Sequence, residues 1–113
     1  MIAVLIYTVG SQTHGLGHVK RCLTLAREFA RRGVGVLFAT EHETAGAEVI
    51  RQAGFPVREY HPLDFSWIEM GGQYQNLIVD VEGDPSEHML DVARPIYKRL
   101  VVLSAAGYAP QGV

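Results

Sequence analysis

The chain has 113 residues, with 10 Lys and Arg against 12 Asp and Glu, 48% hydrophobic and 19% charged residues. That is the balance of one folded domain, not of a disordered chain. Its single cysteine, Cys22, excludes an internal disulfide framework and a multi-cysteine zinc site and fits a reducing compartment. A net charge of −2 leaves no nucleic-acid footprint, and no apolar run is long enough to cross a bilayer. With Met1 leading straight into a strand-like run, the expected location is cytoplasmic.

Ile2 to Tyr7 is a continuous apolar run, as in a strand covered on both faces. Beyond the Gly-rich stretch Gly10 to Gly17, apolar residues Val19, Cys22, Leu23, Ala26, Phe29 and Ala30 recur at spacings of three and four. This predicts an amphipathic helix ended by Gly33. Residues 19 to 32 hold Lys20, Arg21, Arg27, Arg31 and Arg32 against one Glu28, whereas residues 59 to 91 hold eight acidic residues and no Lys or Arg. A solvated helix face and acidic loops account for this asymmetry, with a partner-steering field as the alternative.

A second strand is expected over Val34 to Thr40. Thr40-Glu41-His42-Glu43 has the spacing of a capping box and predicts a short helix ending at Gly54. Pro56 to Tyr60 reads as strand three. His61 to Gln75 has no clean period and reads as a loop with one helical turn at most; Trp67 and Tyr74 there fill core space or stack on a sugar. Leu77 to Val81 is strand four, and Asp84-Pro85-Ser86-Glu87 caps a helix through Met89, Leu90 and Val92. Pro95 breaks that helix before a last strand, Leu100 to Leu103. Ala105 to Val113 reads as a strap or the start of a linker.

Short apolar strands alternating with helices predict an α/β doubly wound parallel sheet of about five strands, with helices on both faces and one domain over residues 1–113. Ligands of such sheets gather outside the carboxyl ends of the strands, where the connections reverse. The loops after strands one and four therefore carry the candidate site.

Gly15-Leu16-Gly17-His18 precedes a helix N-terminus, where free N–H groups suit a phosphate or sugar and glycines permit close approach. It is neither a dinucleotide fingerprint nor a P-loop, and a tight strand-to-helix turn explains the glycines as well. The positive helix end disfavours an imidazolium at His18, which suits a general base; a locally hydrogen-bonded helix-start histidine is the plain alternative. Arg21, one turn later, is placed to pair with a phosphate or a carboxylate, or is a surface arginine. Cys22 sits on the apolar stripe as a small hydrophobe. Asp80, ending strand four, orients a base, binds a sugar hydroxyl or caps a turn. Pairing His18 with His14 or Cys22 gives too few ligands for a metal, and no cofactor is implied.

The string Gly15-x-Gly17-His18-x-x-Arg21-Cys22-Leu23-x-Leu25-Ala26 resembles the N-terminal motif of the pseudaminic-acid pathway nucleotide-sugar hydrolases and the related spore-coat polysaccharide glycosyltransferases. The likeness continues through Arg32-Gly33 and, more loosely, through Leu77 to Asp80 and Pro85 to Met89. It implies the first half of a GT-B enzyme, with His18 as the general base at the anomeric carbon; Gly15, Gly17, Arg21 and Asp80, read from their places at the strand and helix ends, are the candidate substrate-binding residues. It also implies that the UDP site lies on a C-terminal domain or partner chain, so that the 113-residue half is inactive alone. Where the hydrolases carry Asp-x-Tyr after strand four, this sequence reads Asp80-Val81-Glu82, and Tyr7-Thr8-Val9-Gly10 replaces their polar cluster after strand one. A flavodoxin-like phosphate- or nucleotide-binding module, or a domain docking a partner through Trp67, Ile68 and Met70, is the alternative.

Overall fold

A computed structural model describes residues 3–10, 15–62, 64–68, 74–81 and 87–103. The run Ala3–Thr8 forms β1, and Gly17–Arg31 forms α1. Next come β2 (Gly35–Glu41), α2 (Ala45–Gln52) and β3 (Val57–Tyr60), then β4 (Asn76–Asp80), α3 (Glu87–Ala93) and β5 (Arg99–Val102). Every strand pair is parallel, and the sheet order is β3-β2-β1-β4-β5. The chain moves outward from β1 through β2 to β3, then returns to the far side of β1 and moves outward again. The reversal falls between β1 and β4.

Both faces of the sheet are covered, which is why β1 reads as an unbroken apolar run. Val4 and Ile6 pack under α1 and α2 with Val19, Cys22, Leu23, Ala26, Phe38 and Ile50. Leu5 and Tyr7 point the other way, into a cluster with Leu77, Val79, Met89, Leu90 and Ala93. Trp67 belongs to that second cluster: its ring is fully buried and stacks on Tyr7 with centroids 4.5 Å apart. Ile68 beside it is also buried, and its carbonyl accepts the Tyr97 hydroxyl at 3.0 Å. Trp67 and Ile68 are thus core, which corrects the idea that they form an open docking face; Met70 lies outside the described residues.

The end of α1 follows its sequence closely. Gly33 takes a left-handed φ of 78°. Its N–H bonds to the Ala30 carbonyl and that of Val34 to the Phe29 carbonyl, a Schellman closure with Val34 and Phe29 packed on one cluster. The expected capping box at Thr40 does not form. Thr40 and Glu41 are claimed by parallel pairing with Glu59 and Tyr60, so β2 runs on to Glu41. The N-cap of α2 is Thr44, whose hydroxyl donates to the Glu41 carbonyl at 2.9 Å instead of capping the helix. The last strand lies one residue earlier than expected, because its register is set by Asn76 opposite Arg99 and Val79 opposite Val102. The cap Asp84-Pro85-Ser86 and the tail from Ala105 lie outside the described residues, whereas α3 does stop at Ala93, two residues before Pro95.

Candidate functional site

The candidate site is built where β1 and β4 end side by side, with Thr8 opposite Asp80 in the ladder. Alternation along β4 turns Leu77 and Val79 away from α1, while Ile78 and Asp80 face it. Asp80 therefore ends its strand as a carboxylate with no exposed surface, directly beneath the first turns of α1. The residues His18, Arg21 and Cys22, at i, i+3 and i+4, share one side of that helix. All three reach Asp80.

The geometry is that of a saturated carboxylate. Arg21 grips it with both prongs, Nε to Oδ2 at 2.8 Å and Nη2 to Oδ1 at 2.6 Å. His18 Nδ1 lies 2.7 Å from Oδ1, and the Cys22 thiol donates to Oδ2 at 3.5 Å. Burial works to raise the Asp80 carboxyl, yet the hydrogen bonds from Arg21 and His18, with their charges, hold it below the usual carboxylate range. Ionised and buried, Asp80 accepts and never donates. A proton must then sit on Nδ1, since an imidazole lone pair facing Oδ1 at 2.7 Å would repel it. In the neutral ring that leaves Nε2 as the unprotonated nitrogen.

The same surroundings silence the thiol. Burial, and then the Asp80 charge, push Cys22 up to about 12, so it stays protonated as a weak donor. His18 itself is partly open, with 23% of its side chain exposed, and Arg21 has 42% exposed. Solvent can reach the ring, while the carboxylate behind it is sealed.

The loop after β1 is shaped by close approaches of backbone. A Cβ on Gly10 would stand 2.7 Å from Val19 Cγ2 and 2.9 Å from Leu16 Cδ2. Gly46, in the first turn of α2, donates its N–H to the Gly10 carbonyl at 3.0 Å, and a Cβ there would meet that carbonyl oxygen at 3.1 Å. Gly15 needs to be glycine for its φ of 82°. Gly17 does not: a Cβ there has open space, and the residue is the exposed first position of α1.

The structure thus gathers His18, Arg21 and Asp80 into one network and sets Gly15 and Gly17 at the mouth of α1. Arg21 takes the carboxylate option, since its fork is bonded to Asp80. The rest of the β1 loop, including His14, and residues 82–86 after β4 lie outside the described residues. No group of three or more possible metal ligands occurs among the described residues. Two features escaped the sequence: Cys22 as a partner of Asp80, signalled only by its i+4 spacing from His18, and the Gly10–Gly46 contact, which two distant glycines do not announce.

No protein-family model and no curated protein sequence matches the chain. Among solved structures, the crystal structure of MurG from Acinetobacter baumannii is similar, with a TM-score of 0.62 at 9% identity. The match takes in 98% of this chain and 44% of the MurG chain, so this chain spans less than half the length of that protein. No helix among the described residues is long and apolar enough to cross a membrane. The five-stranded parallel α/β sheet is Rossmann-like and has the fold of one half of a GT-B architecture.

Proposed function

We propose that this chain is the N-terminal-like half of a nucleotide-sugar-dependent GT-B enzyme, a glycosyltransferase or a UDP-sugar hydrolase, in which His18 is the general base. The fold likeness to MurG supports the glycosyltransferase side, and the Gly15-x-Gly17-His18-x-x-Arg21-Cys22 string supports both. The single observation that carries the proposal is the 2.7 Å bond from His18 Nδ1 to buried Asp80 at the reversal point of the sheet. The bond fixes an imidazole beside the carboxyl ends of β1 and β4, the edge at which ligands of such sheets gather.

In this mechanism Nε2 removes the proton of a water or acceptor hydroxyl as its oxygen attacks the anomeric carbon. The new C–O bond forms while the bond from that carbon to the diphosphate oxygen breaks. UDP departs with the electron pair, and the configuration at the carbon inverts. Asp80 keeps its own proton count throughout and stabilises the imidazolium that forms, as the carboxylate of a catalytic triad does. Gly15 and Gly17 leave the helix mouth open to the sugar. The UDP is held by a second domain or partner chain, consistent with the share of MurG that this chain leaves uncovered.

The test is UDP release from UDP-amino-sugars by the chain combined with a GT-B nucleotide-binding half, in water alone and with hydroxylated acceptors. Release in water alone assigns a hydrolase, and release that needs an acceptor assigns a transferase. Tight binding of UDP-sugar without turnover under either condition overturns the enzyme reading in favour of a binding module.

A further inference from the structure

We propose that Arg21 is a positioning residue that sets the tautomer of His18 through Asp80. The inference rests on the His18 reading for its catalytic meaning and on geometry alone for its structural content. A carboxylate torsion is broad and nearly two-fold, and without Arg21 only His18 on Oδ1 and the weak Cys22 thiol donor on Oδ2 would hold Asp80. Arg21 removes that freedom by binding both oxygens in its planar fork, Nε on Oδ2 and Nη2 on Oδ1. The plane so fixed is the one that presents Oδ1 to His18 Nδ1.

Arg21 also decides which species Asp80 is. Asp80 has no exposed surface, so solvent does not screen its charge, and the guanidinium supplies the counter-charge that keeps it ionised. Without Arg21, a protonated Asp80 can donate its own O–H to Nδ1. The ring proton then moves to Nε2, and that nitrogen becomes a donor that cannot accept a proton. Loss of the same acceptor in a catalytic triad likewise leaves the geometry intact and the tautomer wrong. Arg21 touches no reacting atom in this scheme; it acts only through Asp80. Its side chain is 42% exposed, so the helix can keep its place when that side chain is shortened.

The experiment is a long-range 1H–15N correlation spectrum of the histidine rings, followed as a titration from mildly acidic to mildly alkaline pH on the wild-type chain, on Arg21→Met and on Arg21→Lys. His18 is assigned by its absence from His18→Ala. In its neutral form the wild-type ring is expected to show a protonated Nδ1 and a bare Nε2. Arg21→Met is expected to shift the ring toward the Nε2–H form, and Arg21→Lys, which keeps the charge without the fork, to fall between them. In the complete enzyme, Arg21→Met then lowers kcat by about 10–100-fold with KM little changed, the scale on which partners behind a functional imidazole act.

A neutral wild-type ring already protonated at Nε2 overturns the proposal without any variant, so failure of Arg21→Met to fold does not shield it. An unchanged tautomer in both folded Arg21 variants overturns it equally. If the tautomer responds as expected while His18→Ala turns over like wild type, the positioning claim stands and the general-base reading falls.

Discussion

Gly46 meets Gly10 backbone to backbone, N–H to carbonyl at 3.0 Å, and this contact pins the first turn of α2 against the loop that leads to His18. Neither residue has room for a methyl group. Gly46→Ala brings a Cβ to 3.1 Å from both the nitrogen and the oxygen of Gly10, atoms that cannot swing aside. Gly10→Ala meets the Val19 and Leu16 side chains at 2.7 and 2.9 Å. Each substitution is expected to destabilise the chain by about 1–3 kcal/mol, as overpacking does. Gly17→Ala, with open space and a helical position, is expected to be neutral or slightly stabilising. Urea denaturation of the three variants checks the ranking.

Asp80 makes stability depend on acid in a definite direction. Its carboxyl titrates lower in the folded chain than in the unfolded one, because Arg21 and His18 outweigh its burial. On acidification the unfolded chain takes up the proton first. The contribution is complete above the unfolded-state value of about 3.9 and is lost as pH falls through the lower folded value. Asp80→Asn is expected to cost about 1.5–3 kcal/mol at pH 7, nearer the lower figure because Arg21 is 42% exposed. Its melting temperature should also fall less than that of wild type between pH 5 and acid, each read by thermal melts across pH.

Cys22 should be nearly inert while the chain is folded. With its thiol pushed up to about 12 by burial and by Asp80, the thiolate is scarce at pH 8. Reaction with a thiol-exchange reagent is expected to be at least tenfold slower in the native chain than in urea. Equal rates would contradict both the burial and the Asp80 contact.

Trp67 carries core stability from within the irregular stretch between β3 and β4. Fully buried and stacked on Tyr7, it should cost about 3–5 kcal/mol when replaced by Ala. Because it is the chain's single tryptophan, its emission in the native state should be that of a dry core residue and should move to the red on unfolding.

Much of this fold was legible because the signals are local. Apolar spacing from Val19 to Ala26 gave the buried face of α1, and Gly33 gave its end. The unbroken run of β1 gave a central, two-sided strand. The misreadings came where tertiary pairing outranked local chemistry: Thr40 looked like a helix cap, but the ladder with β3 drew it into β2. At the site, His18 and Asp80 could each be singled out from their places at element ends. Their joining at 2.7 Å, with Arg21 as the clamp, depends on sheet order, which no sequence spacing of 62 residues encodes.

The most direct test of His18 as the base is single-turnover UDP release from a UDP-sugar by the chain joined to a GT-B nucleotide-binding half, wild type against His18→Ala. The account predicts a loss of about 10²–10⁴-fold in the chemical step with substrate binding retained, the usual contribution of a positioned base. Equal rates in the two proteins would contradict it.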